Sequence, residues 1–337
     1  MPSLLDALRQ HSVIDCDTLD SEVAKSLGPF VDCTSNQAIA FFELSKISNG
    51  DPSLHYEVLI RESARDADRL HEIRGQTSLP EFMVEIMMVK LQLLIAPYIT
   101  GYVHVQTNPK LSYSQAGTVD NAQRIIAIFR GLAPDFDTKR ICIKIPATWD
   151  GLCACRTLEA NGVTTLATTM FCMEQAVLAS DANCTYIAPY INELKVHFET
   201  GYIDHNKAFA FCREAQAYYN AHNHRTRVLA ASLTSVDEVL QLAGVHHITI
   251  SPILLHALSR LDVSKTTKRP GQYFADEPAA KSLNALKYAS ILRDESAWKL
   301  AFTRSGFGTS EGKIIQAINY FSDFQEKLEE LAGRYAS

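Results

Sequence analysis

The feature that most constrains the fold is a regular alternation of short strand-like runs with longer helical segments. Eight runs rich in β-branched and apolar residues recur along the chain, at residues 12–17, 30–34, 102–107, 140–145, 163–168, 184–190, 226–232 and 246–252. Strands that alternate with helices are typical of a parallel sheet, because each crossover needs a connecting helix. Eight such units predict an α/β fold closed into a (β/α)8 barrel, which folds as a single domain over residues 1–337.

Three segments lie outside the simple alternation. Residues 54–97 contain a charged helical stretch followed by an apolar one, in which Pro80 suits the first helical turn. Residues 312–333 carry apolar side chains at helical spacing and predict a long C-terminal helix that closes the domain. Residues 262–282 are loop-like, and two interpretations stay open: a segment that covers an active-site mouth, or a mobile connection.

Composition and charge argue against several classes of function. The formal net charge is -6, so nothing favours nucleic acid or an anionic membrane as a partner. No apolar run approaches the roughly 20 residues that span a bilayer, and the N-terminus lacks a signal-peptide pattern. The eight cysteines form no CxxC pair and show no zinc-ligand spacing, which predicts buried free thiols, no bound metal and a cytoplasmic location.

Lys144 is the strongest candidate for a reactive side chain. It lies in the run RICIKIPATW, where the isoleucines share one face of a strand and Cys142, Lys144 and Pro146 share the other. If the isoleucine face meets the helices, Lys144 points into the barrel, where desolvation favours a neutral amine that attacks carbonyls. The alternative is a lysine at a strand end that keeps its charge in water.

Polar side chains also end three other strands, at the edge where barrel enzymes place their catalytic groups. Asp17 could exchange protons with a substrate hydroxyl, or only cap the following helix. Gln106 could fix a water, although turn chemistry is the simpler explanation, and Tyr190 could donate a proton or only pack. The chain contains no GxGxxG, P-loop, HExxH or GxSxG motif, so no dinucleotide or phosphate-loop cofactor site is expected.

Several motifs together resemble the transaldolase family. IKIPATWDG is similar to the family signature whose lysine forms the Schiff base, which places that role on Lys144. VIDCDTLD resembles the strand with the family's catalytic aspartate, here Asp17, and CTSNQAI resembles its substrate-binding segment, here Thr34 and Asn36. The resemblance covers nearly the whole chain. It therefore implies the same barrel and class I aldolase chemistry, which needs no metal or dissociable cofactor.

Within the implied site, some positions depart from the transaldolase pattern. The family's general-base glutamate falls on Gln106, whose amide can orient a water but cannot take a proton as a carboxylate does. An asparagine near the lysine falls on Leu166, whereas the threonine two residues further on is retained as Thr168. Gln106 together with Tyr190 resembles the fructose-6-phosphate aldolase branch of the superfamily, in which a tyrosine and a glutamine-held water handle protons during aldol cleavage or addition.

The positions implied to bind phosphate have also changed. The family's two phosphate-binding arginines fall on Glu193 and Thr234, while a serine is kept as Ser232. Arginine binds phosphate through charge-assisted and often bidentate hydrogen bonds, which threonine cannot make, and Glu193 would repel an anion. We therefore expect poor affinity for sugar phosphates, unless a relocated cation such as Lys195 restores it.

The expected function is aldol or retro-aldol chemistry through a Schiff base, on a non-phosphorylated carbonyl substrate in specialised biosynthesis. The residues expected to act are, in catalysis, Lys144, Asp17, Gln106, Tyr190 and Thr168 and, in substrate binding, Asn36, Ser232, Thr34, Leu166, Glu193 and Thr234. Three alternatives stay open: a true transaldolase of sugar phosphates, another iminium-based condensation, and an inactive barrel kept for binding. Similar enzymes of this length are usually dimers, so a homodimer is the expectation, although no sequence signal marks an interface.

Overall fold

The computed structural model describes residues 2–48, 50, 52–274 and 286–336, and eight parallel strands among them close into a barrel. The strands are β1 (Val13–Asp17), β2 (Cys33–Thr34), β3 (Val103–Gln106), β4 (Ile141–Pro146), β5 (Thr164–Met170), β6 (Tyr186–Pro189), β7 (Arg227–Ala230) and β8 (His247–Ile250). Each strand pairs with its neighbours in sequence, and β8 closes the barrel against β1. The predicted (β/α)8 barrel is therefore confirmed. Six strands lie within their predicted runs, whereas β4 extends one residue and β5 two residues beyond theirs.

Helices surround the barrel, and further helices precede or extend the strand–helix units. The α-helices of the described residues are α1 (Leu4–Leu8), α2 (Ser21–Leu27), α3 (Gln37–Leu44), α4 (Glu57–Arg69), α5 (His71–Arg74), α6 (Leu79–Ile95), α7 (Gln115–Leu132), α8 (Trp149–Ala160), α9 (Met173–Asp181), α10 (Phe209–Ala221), α11 (Val236–Gln241), α12 (Pro252–Arg260), α13 (Leu286–Ala289), α14 (Glu295–Arg304) and α15 (Thr309–Gly333). The charged helical stretch predicted within residues 54–97 divides into α4 and α5. The sequence patterns did not predict the short α1, α2 and α13, nor α14.

Side-chain caps fix where several of these helices begin. Thr148 accepts a hydrogen bond from the backbone N–H of Gly151 at the start of α8, and Ser235 does the same for Glu238 at the start of α11. Each cap satisfies a backbone donor that has no partner within its helix. Pro80 lies in the first turn of α6, where its missing N–H costs no hydrogen bond. These starts are therefore encoded locally.

The alternation of side chains along β4 directs Lys144 into the barrel. Ile141, Ile143 and Ile145 are buried on the other face of the strand. In the strand register, Lys144 lies between Gln106 of β3 and Leu166 of β5. The sheet thus sets which side chains are the immediate neighbours of the lysine.

The C-terminal helix α15 packs across the mouth of the barrel. Phe324 contacts the rings of Phe41 and Phe42 on α3, at centroid distances of 5.5 and 5.2 Å. Near the middle of α15, Tyr320 stacks on Phe198 of the loop after β6 at 4.9 Å. The helix starts three residues earlier than the predicted 312–333 and ends at the predicted residue. Its contacts hold two distant parts of the mouth together.

Only part of the predicted loop 262–282 falls within the described residues. Gly271 donates a hydrogen bond to the carbonyl of Leu240 at the end of α11, and Arg213 of α10 donates to the carbonyl of Tyr273. Phe274 packs against Gly244, just before β8. Residues 266–274 therefore lie along the outer helices α10 and α11. The remainder, residues 275–282, lies outside the described residues.

Two further expectations concern the cysteines and membranes. All eight cysteines are free thiols, seven of them buried and Cys153 partly exposed, as the sequence predicts. Across the described part of the chain, no helix is both long enough and apolar enough to cross a membrane.

Candidate active site

A cavity of about 750 Å³ opens at the C-terminal ends of the strands, where barrel enzymes hold their substrates. Its walls come from the loops after β1, β2, β6, β7 and β8 and from α15. The lining includes six of the residues proposed from the sequence, namely Asp17, Asn36, Lys144, Tyr190, Ser232 and Thr234. The other five, Thr34, Gln106, Leu166, Thr168 and Glu193, lie behind this lining or beside it.

Lys144 lies at the inner end of the cavity. Its side chain is only 3% exposed, and its Nζ donates a hydrogen bond to the backbone carbonyl of Ser35 at 3.2 Å. Among the described residues, no carboxylate lies within salt-bridge distance of the Lys144 amine, so the amine is not held in a fixed ion pair. A buried amine with this freedom can act as a nucleophile toward a carbonyl carbon.

Asp17 is oriented by a chain of hydroxyl groups. Thr34 Oγ1 donates to Asp17 Oδ1 at 2.7 Å. Thr34 Oγ1 also lies 2.5 Å from Thr249 Oγ1, and because a hydroxyl carries one hydrogen, Thr249 is the donor in that contact. This arrangement fixes the carboxylate of Asp17 at the cavity wall. Thr34 itself does not line the cavity, so it orients Asp17 from behind the cavity wall.

Gln106 has an unusual environment for a buried amide. The side chain is 1% exposed, and neither its Oε1 nor its Nε2 has a hydrogen-bond partner among the described residues. Leaving a buried polar group unpaired costs about 1–3 kcal/mol. Gln106 lies beside Lys144 in the strand register. The amide can therefore hold a small polar group, such as a water or a substrate oxygen, next to the amine.

Tyr190 brings a phenol to the same cavity. Its hydroxyl lies 3.5 Å from Thr168 Oγ1, at the long limit of a hydrogen bond, and its ring contacts the edge of Phe171. Leu166 is fully buried in β5, between Lys144 and Tyr186 in the register. The wall on this side of Lys144 therefore combines one phenol and one hydroxyl with an apolar side chain.

Asn36 serves as the N-cap of α3 and also lines the cavity. Its Oδ1 accepts a hydrogen bond from the backbone N–H of Ile39 at 3.0 Å. The cap engages the amide oxygen, so the Nδ2 group stays available as a donor. The structure thus gives Asn36 both the structural role and the position expected of a substrate-binding residue.

Ser232 is held at the cavity wall by its backbone and by a histidine. Its φ is 61°, a left-handed conformation that costs free energy for a residue with a Cβ. Asn192 stabilises this conformation, because its Nδ2 and its backbone N–H both donate to the carbonyl of Ser232, at 2.9 and 3.2 Å. The Ser232 hydroxyl lies 2.9 Å from Nε2 of His197.

His197 lines the cavity, and sequence reasoning missed it. Desolvation at the cavity wall lowers the pKa of this imidazole, so the neutral form dominates near pH 7. A lone histidine in the loop after β6 carries no spacing signal. Only its contact with Ser232 reveals that it belongs to the site.

Glu193 and Thr234 occupy the two positions implied to bind phosphate. The carboxylate of Glu193 accepts hydrogen bonds from the Tyr202 hydroxyl and, at 3.3 Å, from Gln316 of α15. Thr234 Oγ1 donates to Glu238 at 2.9 Å. Both side chains are thus engaged by protein partners, and their roles toward substrate stay predictions.

Lys46 is a second cation of the cavity that sequence reasoning missed. Its Nζ contacts Asp20 at 2.7 Å and Glu43 at 2.8 Å. Two carboxylates therefore neutralise this lysine, and the three side chains together carry a net negative charge. Lys195, the cation considered as a relocated phosphate ligand, pairs with Glu199 at 2.9 Å.

A separate polar cluster lies deeper in the barrel. His247 contacts Asp15 at 2.9 Å, and His104 contacts Asp32 at 3.1 Å. Burial raises the pKa of Asp15 to about 6, although the hydrogen bond with His247 acts in the opposite direction. Potential metal-ligand atoms of Asp15, Asp32 and His247 lie within 4.8 Å of one another. Each carboxylate has a histidine partner, whereas Nδ1 of His104 is buried without a hydrogen-bond partner among the described residues.

Comparison with known proteins supplies the family. A family model described as transaldolase/fructose-6-phosphate aldolase matches residues 14–303. The chain belongs to this family. Relatives include the transaldolase of Chlamydia felis, 29% identical over 335 residues that cover 98% of this chain and 95% of the relative. Transaldolase B of Pasteurella multocida is 26% identical over 337 residues, covering 97% of this chain and 98% of the relative.

Membership of the transaldolase/fructose-6-phosphate aldolase family makes this chain a class I aldolase-type enzyme and confirms the resemblance seen in the sequence. Among solved structures, an IMP dehydrogenase/GMP reductase-like protein from Corynebacterium glutamicum matches with a TM-score of 0.39 and 11% identity, over 72% of this chain and 64% of that chain. That likeness is too weak to bear on function.

Proposed function

We propose that the enzyme forms or cleaves carbon–carbon bonds of a non-phosphorylated carbonyl substrate through a Schiff base on Lys144. The amine attacks the carbonyl carbon, and loss of water gives an iminium. The iminium withdraws electrons from the neighbouring bond to carbon, so that this bond breaks or forms more easily. The observation that carries the proposal is the buried amine of Lys144, beside the unpaired amide of Gln106 at the inner end of a cavity of about 750 Å³.

The proton transfers are assigned to groups around the lysine. We assign Asp17 and Tyr190 to proton exchange with substrate hydroxyls and water, because both line the cavity and can give or take protons. Gln106, with Thr168 behind Tyr190, orients the water. In the direction of cleavage, a substrate hydroxyl loses its proton as the carbon–carbon bond breaks. The enamine carbon is then protonated, and hydrolysis of the iminium returns the free amine.

Substrate binding is assigned to Asn36 and Ser232, which also line the cavity. The amide N–H of Asn36 and the hydroxyl of Ser232 can form hydrogen bonds with the oxygen atoms of the carbonyl substrate that is bound to Lys144. Thr34 contributes by orienting Asp17, and Leu166 by keeping the surroundings of the lysine apolar.

The proposed preference for non-phosphorylated substrates is supported by the lack of an unpaired cation at the positions considered for phosphate binding. The positions of the family's phosphate-binding arginines hold Glu193 and Thr234, and neither offers a cation. Lys46 and Lys195 are both paired with carboxylates. A phosphate entering the cavity would have to displace these carboxylates, at the cost of their ion pairs.

We also propose a role in specialised biosynthesis, in the cytoplasm and as a homodimer. The loss of sugar-phosphate recognition suits a pathway outside central carbohydrate metabolism, and the eight free thiols suit a reducing compartment. The dimer rests only on what is usual for similar enzymes of this length.

A borohydride trap tests the mechanism. The protein is incubated with dihydroxyacetone, its phosphate, fructose 6-phosphate and a panel of unphosphorylated ketones and aldehydes, and the adduct is mapped by mass spectrometry. We expect an irreversible adduct on Lys144 with neutral carbonyls, little with sugar phosphates, and none in Lys144→Met. An adduct formed mainly with fructose 6-phosphate would contradict the substrate class. Absence of any adduct on Lys144 would contradict the Schiff base.

A second candidate is transfer of a dihydroxyacetone unit between sugar phosphates. It is favoured by the relatives of 26–29% identity, which are named transaldolase. Turnover of fructose 6-phosphate with erythrose 4-phosphate, at a kcat/KM within about tenfold of the best neutral pair, would establish it. Such a result would also show that the engaged cations of the cavity can be released for phosphate.

A further inference from the structure

The outer part of the cavity is lined mainly by apolar side chains. Phe42 of α3 and Ile253 at the start of α12 both line it, although 60% and 81% of their surfaces are exposed. The same walls include Ile39, Leu194, Val196, Leu233, Leu254 and Phe321. A contiguous apolar patch that continues into a cavity marks a place where a ligand or a partner binds. The continuity of these side chains with the cavity that holds Lys144 indicates that a substrate covers them.

The polar groups of the outer cavity do not offer an anion a free partner. Of the described residues in the lining, none is an arginine, and the only lysines are Lys46 and Lys144. Lys46 is held by Asp20 and Glu43 at 2.7 and 2.8 Å. His197 is neutral near pH 7, because desolvation lowers its pKa. A charged group on the far end of a substrate would therefore lose its hydration without gaining an unpaired cation.

The size of the cavity exceeds what a small carbonyl donor needs. Cavities of about 300–1,000 Å³ hold drug-sized ligands, and this one measures about 750 Å³. A three-carbon donor attached to Lys144 occupies only the inner end. The second reactant must therefore fill the outer, apolar part if the site is to exclude water during the reaction.

We propose that the aldehyde acceptor of this enzyme carries an apolar alkyl or aryl group that packs against the apolar lining of the cavity, which includes Phe42 and Ile253. The proposal rests on the Schiff-base function proposed above and narrows its substrate class. In the direction of addition, the enamine carbon of the donor forms the new bond to the aldehyde carbon, and the aldehyde oxygen takes up a proton. Water then hydrolyses the iminium, which releases the aldol product and the free amine of Lys144.

A series of aldehydes of increasing length tests this acceptor class. With dihydroxyacetone or hydroxyacetone as donor, kcat/KM is measured for acetaldehyde, butanal, hexanal, phenylacetaldehyde and glyceraldehyde 3-phosphate. Burial of one methylene stabilises a complex by about 0.8 kcal/mol, which is about fourfold in kcat/KM. We expect an increase of about two- to fourfold per methylene up to hexanal, a high value for phenylacetaldehyde, and a low value for glyceraldehyde 3-phosphate.

Ile253→Ser tests the place where the acceptor binds, because Ile253 is so exposed that its loss leaves the fold intact. With Ile253→Ser, we expect kcat/KM to rise by less than about 1.5-fold for each added methylene. Phe42→Ser should weaken the dependence on chain length in the same way. Leu300→Ser is the matched control, since Leu300 is 53% exposed on α14 and does not line the cavity. The control should keep the wild-type dependence on chain length.

The outcomes separate the acceptor class from the Schiff-base function. If dihydroxyacetone is trapped on Lys144 but kcat/KM is flat with chain length, or is highest for glyceraldehyde 3-phosphate, the apolar acceptor is wrong while the Schiff base stands. The same holds if Ile253→Ser and Leu300→Ser behave alike. If no carbonyl is trapped on Lys144, both proposals fall.

Discussion

At the scale of single residues, contacts within the protein do not explain why the polar side chain of Gln106 is buried. Other buried amides of the barrel have partners: Gln175, for example, donates to the carbonyls of Ala147 and Thr169 and accepts from the N–H of Phe171. Gln106 has none among the described residues, yet it lies beside Lys144. A side chain that costs stability in this way is expected to act on a ligand.

Replacing Gln106 by leucine should therefore separate stability from activity. Because no protein partner is lost, we expect Gln106→Leu to leave the free energy of unfolding unchanged or to raise it by up to about 2 kcal/mol. Turnover should fall about 100-fold, since the water that relays protons loses its holder. Urea unfolding and an aldol assay measure the two effects.

The matched control for Gln106→Leu is Gln175→Leu, which leaves backbone groups unpaired and should lower the free energy of unfolding by about 1–3 kcal/mol or more. If both substitutions destabilise the protein equally, Gln106 has a structural role and the assignment is wrong.

At the scale of elements, α15 links the two sides of the barrel mouth. Phe324 packs on α3 through Phe41 and Phe42, and Tyr320 packs on the loop after β6 through Phe198. Phe321 of the same helix lines the cavity. The position of α15 therefore sets the width of the mouth.

Removing the Phe324 ring should loosen this helix selectively. We expect Phe324→Ala to lower the free energy of unfolding by about 3–5 kcal/mol, the usual cost of a buried phenylalanine, and to make α15 sensitive to limited proteolysis. Ile315→Ala, at a 43% exposed position of the same helix, should change the free energy of unfolding by less than about 1 kcal/mol. Equal protease resistance in both variants would show that α15 is held by other contacts.

At the scale of the whole molecule, the buried carboxyl of Asp15 makes stability depend on pH. Burial raises its folded pKa to about 6, whereas a carboxyl of the unfolded chain has a pKa of about 3.9. The folded state therefore holds this proton more tightly between these values. The contribution of Asp15 to stability falls as the pH rises through that window and stays low above it.

Asp15→Asn removes this titration while it keeps an oxygen that can accept from the N–H of Asp32. As the pH rises from 4 to 7, the free energy of unfolding of Asp15→Asn should increase by about 2 kcal/mol relative to that of wild type, because only wild type loses the stabilising proton. Urea unfolding at several pH values measures this difference. Asp135→Asn, at an exposed position, should show no such trend. A constant difference for Asp15→Asn would mean that His247 compensates the carboxylate fully.

The sequence by itself determined the features that depend on local periodicity. The alternation of strands and helices predicted the barrel, the alternation of faces in RICIKI directed Lys144 inward, and strand ends identified Asp17, Gln106 and Tyr190 as candidates. These patterns are local, because side chains return to the same face every two residues in a strand and every 3.6 residues in a helix. The helix α14 was missed, although Asp294 caps its first turn by accepting a hydrogen bond from the N–H of Ala297.

Only the tertiary structure decided which partners the charged and polar side chains of the site contact. Barrel closure brings His197 onto Ser232, which is 35 residues away in the chain, and Lys46 onto Asp20, which is 26 residues away. It also turns Glu193 toward Gln316 of α15, 123 residues further on. Such pairs have no fixed sequence spacing, because the barrel sets which loops meet. The inward direction of the Lys144 side chain could thus be predicted from the sequence, whereas the charge and the apolar character of the space around it required the fold.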